Sequence, residues 1–501
     1  MKTMVIALVL VSVVASLLHF ASCNSNDHSF KDKNIQQGFQ LSQKYCNTCH
    51  LLPEPDLLNK ITWAEYVLPK MGGMLGFQRF ASDYIELSDT AQSLTLEQWK
   101  NIVRYYVSQA PENPIERSAS SPEIITELPY FKIEMPVTTV KAPATTMVLV
   151  NTDKKEIVFA DGITEHLYIL SSDRVTDSVK IGIGISAFHS NDSGFTALAM
   201  GVLHPSDSKN GRLYLVGKDS SKSMILIDSL QRPVHAGYSD LNNDGKQDII
   251  VCEFGNATGL LSWFERKSEI KFVKHVLRAF PGAVKTEVYD FNRDGRQDIM
   301  ALMAQGDEGF FIYYNQGNAN FREQRIVRLS PSFGSNYFEL ADFNNDGFPD
   351  ILASNGDNGD YPPIKKAYHG IRIYLNNGNN EFSEKIFLAV NGVGKVMAKD
   401  FDADGDLDLA SISYFPDFKQ TPEESFIFWR NDGELHFHPA SFAESSAGRW
   451  LTMDANDIDE DGDIDIVLGN ARFPLGDIPP ELMRKWNVYS PSVLILRNTL
   501  H

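Results

Sequence analysis

Two groups of residues in this chain have types and spacings that could do chemistry. The first is YCNTCH at 45–50, where two thiols, Cys46 and Cys49, stand two residues apart and His50 follows at once. Two thiols and an imidazole from one turn of chain suit covalent attachment of a haem, with each thiol bonded to a vinyl group and the imidazole under the iron. The second group is a nine-residue frame that occurs five times: DLNNDGKQD at 240–248, DFNRDGRQD at 290–298, DFNNDGFPD at 342–350, DFDADGDLD at 400–408 and DIDEDGDID at 457–465. Hard oxygen ligands at alternate positions of a turn suit Ca²⁺.

The ligand set of each frame lies at positions 1, 3, 5 and 9. In order these are Asp240, Asn242, Asp244 and Asp248; Asp290, Asn292, Asp294 and Asp298; Asp342, Asn344, Asp346 and Asp350; Asp400, Asp402, Asp404 and Asp408; and Asp457, Asp459, Asp461 and Asp465. Position 6 is always Gly, which admits the positive φ of a sharp turn, and position 7 is expected to add a backbone carbonyl. Position 12 is never Glu, so an EF-hand does not fit. A dockerin loop is followed by helices, whereas here the runs IIVCEF, IMALMA, ILASNG, LASISY and IVLGN follow and read as strands.

A zinc half-site is the competing chemistry at 45–50, but no second Cys/His pair stands nearby. The elements that would position the haem are helical. IQQGFQLSQKYC precedes the motif, and LTLEQWKNIVRYYVSQAP at 94–111 puts Leu96, Trp99, Ile102, Val103 and Tyr106 on one face, with Thr95 as N-cap and Pro111 as the stop. A helix before CxxCH and an aromatic helix closing the unit resemble the small monohaem cytochromes c, over about residues 34–111. The resemblance implies an iron-binding all-α domain with covalent thioethers at Cys46 and Cys49 and His50 as proximal ligand. VLPKMGGMLG offers Met71 as distal ligand in a Gly-rich loop, with Met74 as the alternative. Methionine ligation raises a haem potential.

The acidic frames start 50, 52, 58 and 57 residues apart. A recurrence of this period means a solenoid or a propeller. Between frames come three further strands and often an Asn-rich turn, as in FFIYYNQGNANF, IRIYLNNGNNEF and FIFWRNDGELHF. Four strands per repeat make a propeller blade. The frame resembles the FG-GAP or VCBS repeats of integrin-like β-propellers, over about residues 130–501. VNTDKKEIVFADG near 150 and HPSDSKNGRLYLVG near 204 read as two worn copies, which gives about seven blades. YFKIEMPV at 130–137 is placed to complete the last blade and close the ring, removing its edges. APENPIERSASSPE at 110–123 reads as a domain boundary, with the linker at 112–129.

The chain therefore reads as multidomain, with a small all-α unit followed by an all-β propeller. Residues 1–22 read as a signal peptide: Lys2, an apolar run, then Ala21 and Ser22 before Cys23. The end of this segment resembles a lipobox, which implies export and a membrane tether through a lipid on Cys23, although Phe20 stands where Leu is usual. No other segment is apolar enough to span a bilayer. The formal net charge of -19 argues against a nucleic-acid partner. Cys252, in an apolar strand, reads as a core residue.

The combination resembles bacterial proteins that join a class I-type cytochrome c domain to FG-GAP/VCBS repeats. The resemblance implies an exported, membrane-tethered electron-transfer protein with haem c, Ca²⁺ and a redox partner protein. Two alternatives stand beside it: an extracytoplasmic oxidoreductase whose propeller oxidises a small substrate, and a surface binding or adhesion protein. The sequence holds no P-loop, dinucleotide fingerprint or nucleophile elbow. His369, beside Lys365, Lys366 and Tyr368, marks a possible propeller site, as do His235, Glu253 and Asp307.

Overall fold

The computed structural model describes residues 30–500, apart from 82, 88–93, 118–121, 139, 172, 192–193, 218–222, 319 and 360–363. The expected signal segment and Cys23 lie outside the described residues. Among the described residues no helix is long and apolar enough to cross a membrane.

Seven four-stranded antiparallel sheets form the body of the molecule. In six of the sheets the strands run in sequence order, the seventh takes its outer strand from earlier in the chain, and the first strands of successive sheets touch around a closed ring. This is a seven-bladed β-propeller. The burial of each strand follows its radial place. The second strands of the five framed blades, Asp248–Glu253, Asp298–Met303, Asp350–Asn355, Asp408–Ser413 and Asp465–Asn470, are buried at every position. Flanking blades cover both of their faces, so these runs are apolar without alternation. Outer strands such as Lys271–Arg278 and Asn320–Arg328 carry exposed charges along their length.

The ring closes with the segment marked out in the sequence. Phe131–Glu134 pairs antiparallel with Val493–Asn498, in the register Phe131 to Asn498 and Glu134 to Ile495, and supplies the fourth strand of the last blade. Phe131 packs edge-on to Phe401 and Phe428 of the preceding blade. The stretch expected as a linker lies against the propeller. Ile125 bridges to Ala440, and Arg117 pairs at 2.6 Å with the buried Glu424.

The inner strands carry polar side chains that bond from blade to blade. Lys285 Nζ donates to Phe338 O at 2.8 Å, Lys395 Nζ to Met453 O at 2.7 Å, and Val150 N to Asp454 Oδ2 at 2.8 Å. Each bond joins two blades near the axis and satisfies a polar group that burial would otherwise penalise.

The worn copy near 150 occupies the expected place, as the turn between the first two strands of its blade, Thr145–Asn151 and Glu156–Asp161. The one near 204 does not. Residues 200–210 connect the second strand of their blade, Gly194–Ala199, to the third, Gly211–Gly217, at the opposite end of the sheet. Ser, Asp, Asn and Gly favour any turn, so without the ligand frame the composition cannot say which connection it serves.

The N-terminal unit is helical. Helix Lys33–Tyr45 crosses helix Leu96–Gln109 so closely that a Cβ on Gly38 would lie 2.0 Å from Asn101 O. Thr95 caps the second helix in a reciprocal box with Gln98. Trp99, Ile102, Tyr105 and Tyr106 of that helix are buried, and Trp63 and Phe77 pack onto them.

Candidate functional site

The CxxCH turn follows helix Lys33–Tyr45 directly. Cys46–Thr48 forms a tight turn in which Cys49 N reaches Cys46 O at 3.4 Å. Cys46 is half-buried and Cys49 exposed. Burial, with a smaller contribution from Cys49, pushes the Cys46 thiol up to about 11, so it stays protonated. His50 Nδ1 lies 2.8 Å from Leu51 O. A carbonyl accepts only from N–H, so this contact fixes the proton on Nδ1 and leaves the Nε2 lone pair available to a metal. The donor set thus fits a covalently held haem iron with one imidazole ligand.

Met71 and Met74 do not lie in a loop. Both belong to the helix Leu68–Met74, which continues the helical stretch from Lys60. The helix runs through Gly72 and Gly73, and Gly72 packs on Trp99, where a Cβ would stand 3.0 Å from the ring. Met71 is partly buried against the core of the unit, whereas Met74 is 78% exposed.

This unit sits on the propeller at the end of the blades opposite the acidic frames. Arg328, at the end of an outer strand, donates to Asn47 O and to Asn47 Oδ1, each at 3.4 Å. Tyr368 donates to Leu57 O at 3.1 Å and stacks on Phe333. Ile364 packs into the helical core.

The five acidic frames form the turns between first and second strands, and four share one bonding pattern. The first Asp accepts the N–H of positions 5 and 6, as Asp290 does from Asp294 at 3.0 Å and from Gly295 at 2.8 Å. Position 5 accepts from position 7, as Asp294 does from Arg296 at 3.0 Å. In the fifth frame Asp457 accepts from Glu460 and Gly462 instead. The glycines at position 6 have φ between +80° and +99°. Position 4 is also left-handed in every frame, although it is Asn, Arg, Asn, Ala and Glu, with φ of +55° to +62°.

Position 9 has a role that ligand spacing alone does not reveal. Asp248, Asp298, Asp350, Asp408 and Asp465 are fully buried. One oxygen of each accepts the N–H of position 2, at 2.9 to 3.1 Å. The other accepts a main-chain N–H from the third strand, at Arg266, Asn315, Asn376, Asn431 and Asn498, at 2.7 to 2.8 Å. In the last four cases the Asn side chain also donates to a nearby carbonyl, as Asn498 does to Phe401 O of the preceding frame at 2.8 Å. The Asn of the Asn-rich turns is therefore a structural partner of the frame.

The frames differ in how their charge is balanced. In the fifth, Arg497 reaches Asp465 at 2.8 Å and Asp459 at 3.2 Å. Lys246 pairs with Asp244, and Arg296 with Asp294. In the fourth, Asp400, Asp402 and Asp408 bring oxygens within 4.8 Å of one another, and Asp402 Oδ1 is buried without a hydrogen-bond partner. Burial, and then the neighbouring carboxylates Asp402 and Asp404, push Asp408 up to about 7. Three carboxylates converge there with one lone oxygen, which fits a hard divalent cation.

Other marked residues are structural. Glu253 is buried, accepting from Gln231 N and pairing with Lys274. Asp307 is held by Arg278 at 2.7 Å and by Arg325. His235 lies between blades, its proton affinity pushed down to about 3 by burial and by Lys285 and Lys395. Cys252 is buried, its thiol pushed up to about 12 by burial. His369 is buried with Nε2 unpartnered.

Comparison with known proteins agrees with the repeats. Residues 240–301, 290–353 and 400–468 match the FG-GAP-like repeat. A T-cell immunomodulatory protein homolog from Plasmodium yoelii yoelii is 26% identical over 176 residues, which covers 31% of this chain and 24% of that protein. The match thus spans about a quarter of the relative's length. Similar solved structures include BBS1N in complex with ARL6DN (TM-score 0.45, 9% identity, 74% of this chain and 97% of that one). Another is the Cps50 (Swd1) propeller domain of Myceliophteria thermophila (TM-score 0.43, 9% identity, 74% of this chain and 100% of that one). The stretches that carry the acidic frames match FG-GAP-like repeats, on a seven-bladed β-propeller.

Proposed function

We propose that this protein is a propeller-based binding protein that presents a covalently attached haem c for electron transfer to a redox partner. The observation that carries the reading is the turn at 45–50, where two thiols follow a helix end and the His50 Nδ1 contact to Leu51 O leaves Nε2 as the ligand atom. Bound there, the haem supplies one-electron transfer. Cys46 and Cys49 anchor it, His50 orients toward the iron, and Met71, half-buried in the helical core, is a better-placed sixth ligand than the exposed Met74. The N-terminal unit is then a small cytochrome c domain, and Cys23 tethers the exported chain to a membrane.

The propeller holds Ca²⁺ at its acidic frames, most strongly at Asp400, Asp402, Asp404 and Asp408, where a buried oxygen lacks a partner. Its role is structural, because each frame fastens the first strand to the second and third. The FG-GAP-like repeats favour a binding or adhesion role for this part of the chain.

The test is a pyridine haemochrome spectrum of the full chain, exported from a host able to attach haem. A c-type spectrum that survives denaturing electrophoresis is expected. Its absence from such a host leaves the chain as a binding or adhesion propeller without a redox role.

A further inference from the structure

Arg328 ends the outer strand Asn320–Arg328 and reaches from the propeller to the helical unit. Both of its Nη nitrogens donate to one residue, Nη2 to Asn47 O and Nη1 to Asn47 Oδ1, each at 3.4 Å. Asn47 stands between Cys46 and Cys49. We infer that Arg328 belongs to the haem site and raises the reduction potential of the haem, so that the propeller takes part in setting the potential at which the protein works. This rests on the reading of residues 45–50 as a haem attachment turn.

The guanidinium is aimed at the turn by its neighbours. Arg328 is one of three arginines grouped at the buried Asp307. Arg278, from the end of the preceding blade's outer strand, donates to Asp307 Oδ2 and to Glu323 Oε1, each at 2.7 Å, and Arg325 also donates to Asp307 Oδ2. Arg328 stands further off. Its Nε is 3.9 Å from Asp307 Oδ1, and neither of these two buried atoms has a hydrogen-bond partner. The carboxylate is engaged mainly by the other two guanidiniums. It steers Arg328 from behind without drawing the Nη fork away from Asn47. The turn Cys46–Thr48 is itself tight, with Cys49 N on Cys46 O at 3.4 Å. A cation bonded to Asn47 therefore sits on the same turn as the two thiols that would anchor the porphyrin.

The sign of the effect follows from charge. Oxidised haem iron carries one more positive charge than reduced iron. A fixed cation beside it disfavours the oxidised form and raises the potential. Arginine keeps its charge at every working pH, so the effect does not switch off by deprotonation. The comparison that tests it is a difference at one position. Removing one positive charge beside the turn lowers the potential whatever other charges stand nearby. A residue that only docked the helical unit would act through its bonds, and Tyr368, which donates to Leu57 O at 3.1 Å, is such a tie without a charge. The sequence gives no sign of Arg328 in this role, because 281 residues separate it from Asn47. CxxCH specifies attachment and not what stands over the turn.

The experiment is an equilibrium redox titration of the full chain, followed in the visible spectrum, for the unaltered protein and for Arg328→Gln, Arg328→Met, Arg328→Lys and Tyr368→Phe. Each is first checked for haem content by pyridine haemochrome and for an unchanged melting curve. Arg328→Gln keeps amide donors but loses the charge, and its equilibrium constant for reduction should fall about threefold or more, which is about 30 mV for one electron. Arg328→Met, a second side chain without charge, should fall as far. Arg328→Lys should recover at least half of the shift, and Tyr368→Phe should leave the potential unmoved. The inference is overturned if both charge-free variants leave the potential unmoved or raise it, if Arg328→Lys falls as far as they do, or if Tyr368→Phe lowers it equally. Any of these results in haem-loaded chains removes this inference alone. A chain that leaves a haem-attaching host without haem removes the attachment reading of 45–50 and this inference with it.

Discussion

Arg328 of the propeller donates to Asn47, the first residue between the two cysteines, through both its carbonyl and its side-chain oxygen. The turn that carries the thiols is thereby tied to a blade, and Tyr368 adds a second tie at Leu57 O. Arg328→Ala combined with Tyr368→Phe should loosen the helical unit while sparing the propeller. Each lost bond is worth about 1 kcal/mol. Faster proteolytic cleavage within 112–129 is expected, with the main calorimetric transition shifted by less than a few degrees.

The two methionines give opposite expectations. Met71→Ala should lower the reduction potential of the attached haem, since thioether ligation favours the reduced iron, whereas Met74→Ala should leave it unchanged. A redox titration followed in the visible spectrum distinguishes them. Equal effects from the two would remove Met71 from the ligand role.

Removal of Ca²⁺ should destabilise the propeller. A cation present at about a hundred times its dissociation constant stabilises the folded state by about 2.7 kcal/mol per site. A chelator should therefore lower the melting temperature by several degrees. Asp402→Asn should shrink that shift more than Asn292→Ala, because the fourth frame concentrates the converging carboxylates. Differential scanning calorimetry with and without chelator reads both.

The ninth position of a frame should matter even without metal. Asp298→Ala strands two buried N–H groups, those of Phe291 and Asn315. Each orphaned group costs about 1–3 kcal/mol, so a loss of about 2–6 kcal/mol is expected in urea unfolding with chelator present. Asp294→Ala, at an exposed position, should cost under half as much.

Glu308 gives a pH dependence of known sign. It is fully buried, accepting from Ser335 N at 2.9 Å and from Ser335 Oγ at 2.5 Å. Burial lifts its carboxyl from 4.5 to about 8, against the Ser335 bonds and the Lys366 charge, which pull it down. In the folded chain it keeps its proton at pH values where the unfolded chain has lost it. Its contribution therefore falls as pH rises from about 4.5 to about 8, by a few kcal/mol in total. Glu308→Gln should flatten the stability profile across that window in denaturant melts at stepped pH. An equally steep profile in the variant would place the dependence elsewhere.

What could be read from residues alone follows local rules. The nine-residue frame is self-contained: Asp and Asn at alternate positions and Gly at the sixth specify a turn whose carboxylates fold back on their own N–H groups. Its recurrence gave the strand count, and the unpaired run at 130–137 gave the closure of the ring. The capped helix 96–109 was legible from Thr95 and from apolar spacing. The tertiary structure decided everything that depends on distance between blades. Asp298 and Asn315 meet because antiparallel pairing brings the third strand alongside the second. Met71 lies in the helix Leu68–Met74, which seats Gly72 against Trp99, 27 residues away. The turn at 204–210 went to the other end of its blade because turn residues encode a reversal and not an address. Arg278 and Arg328 gather at Asp307 only because ring closure fixes the angle between blades. Short-range hydrogen bonding is written in adjacent residues, whereas a site built at the junction of blades exists only once the whole ring has packed.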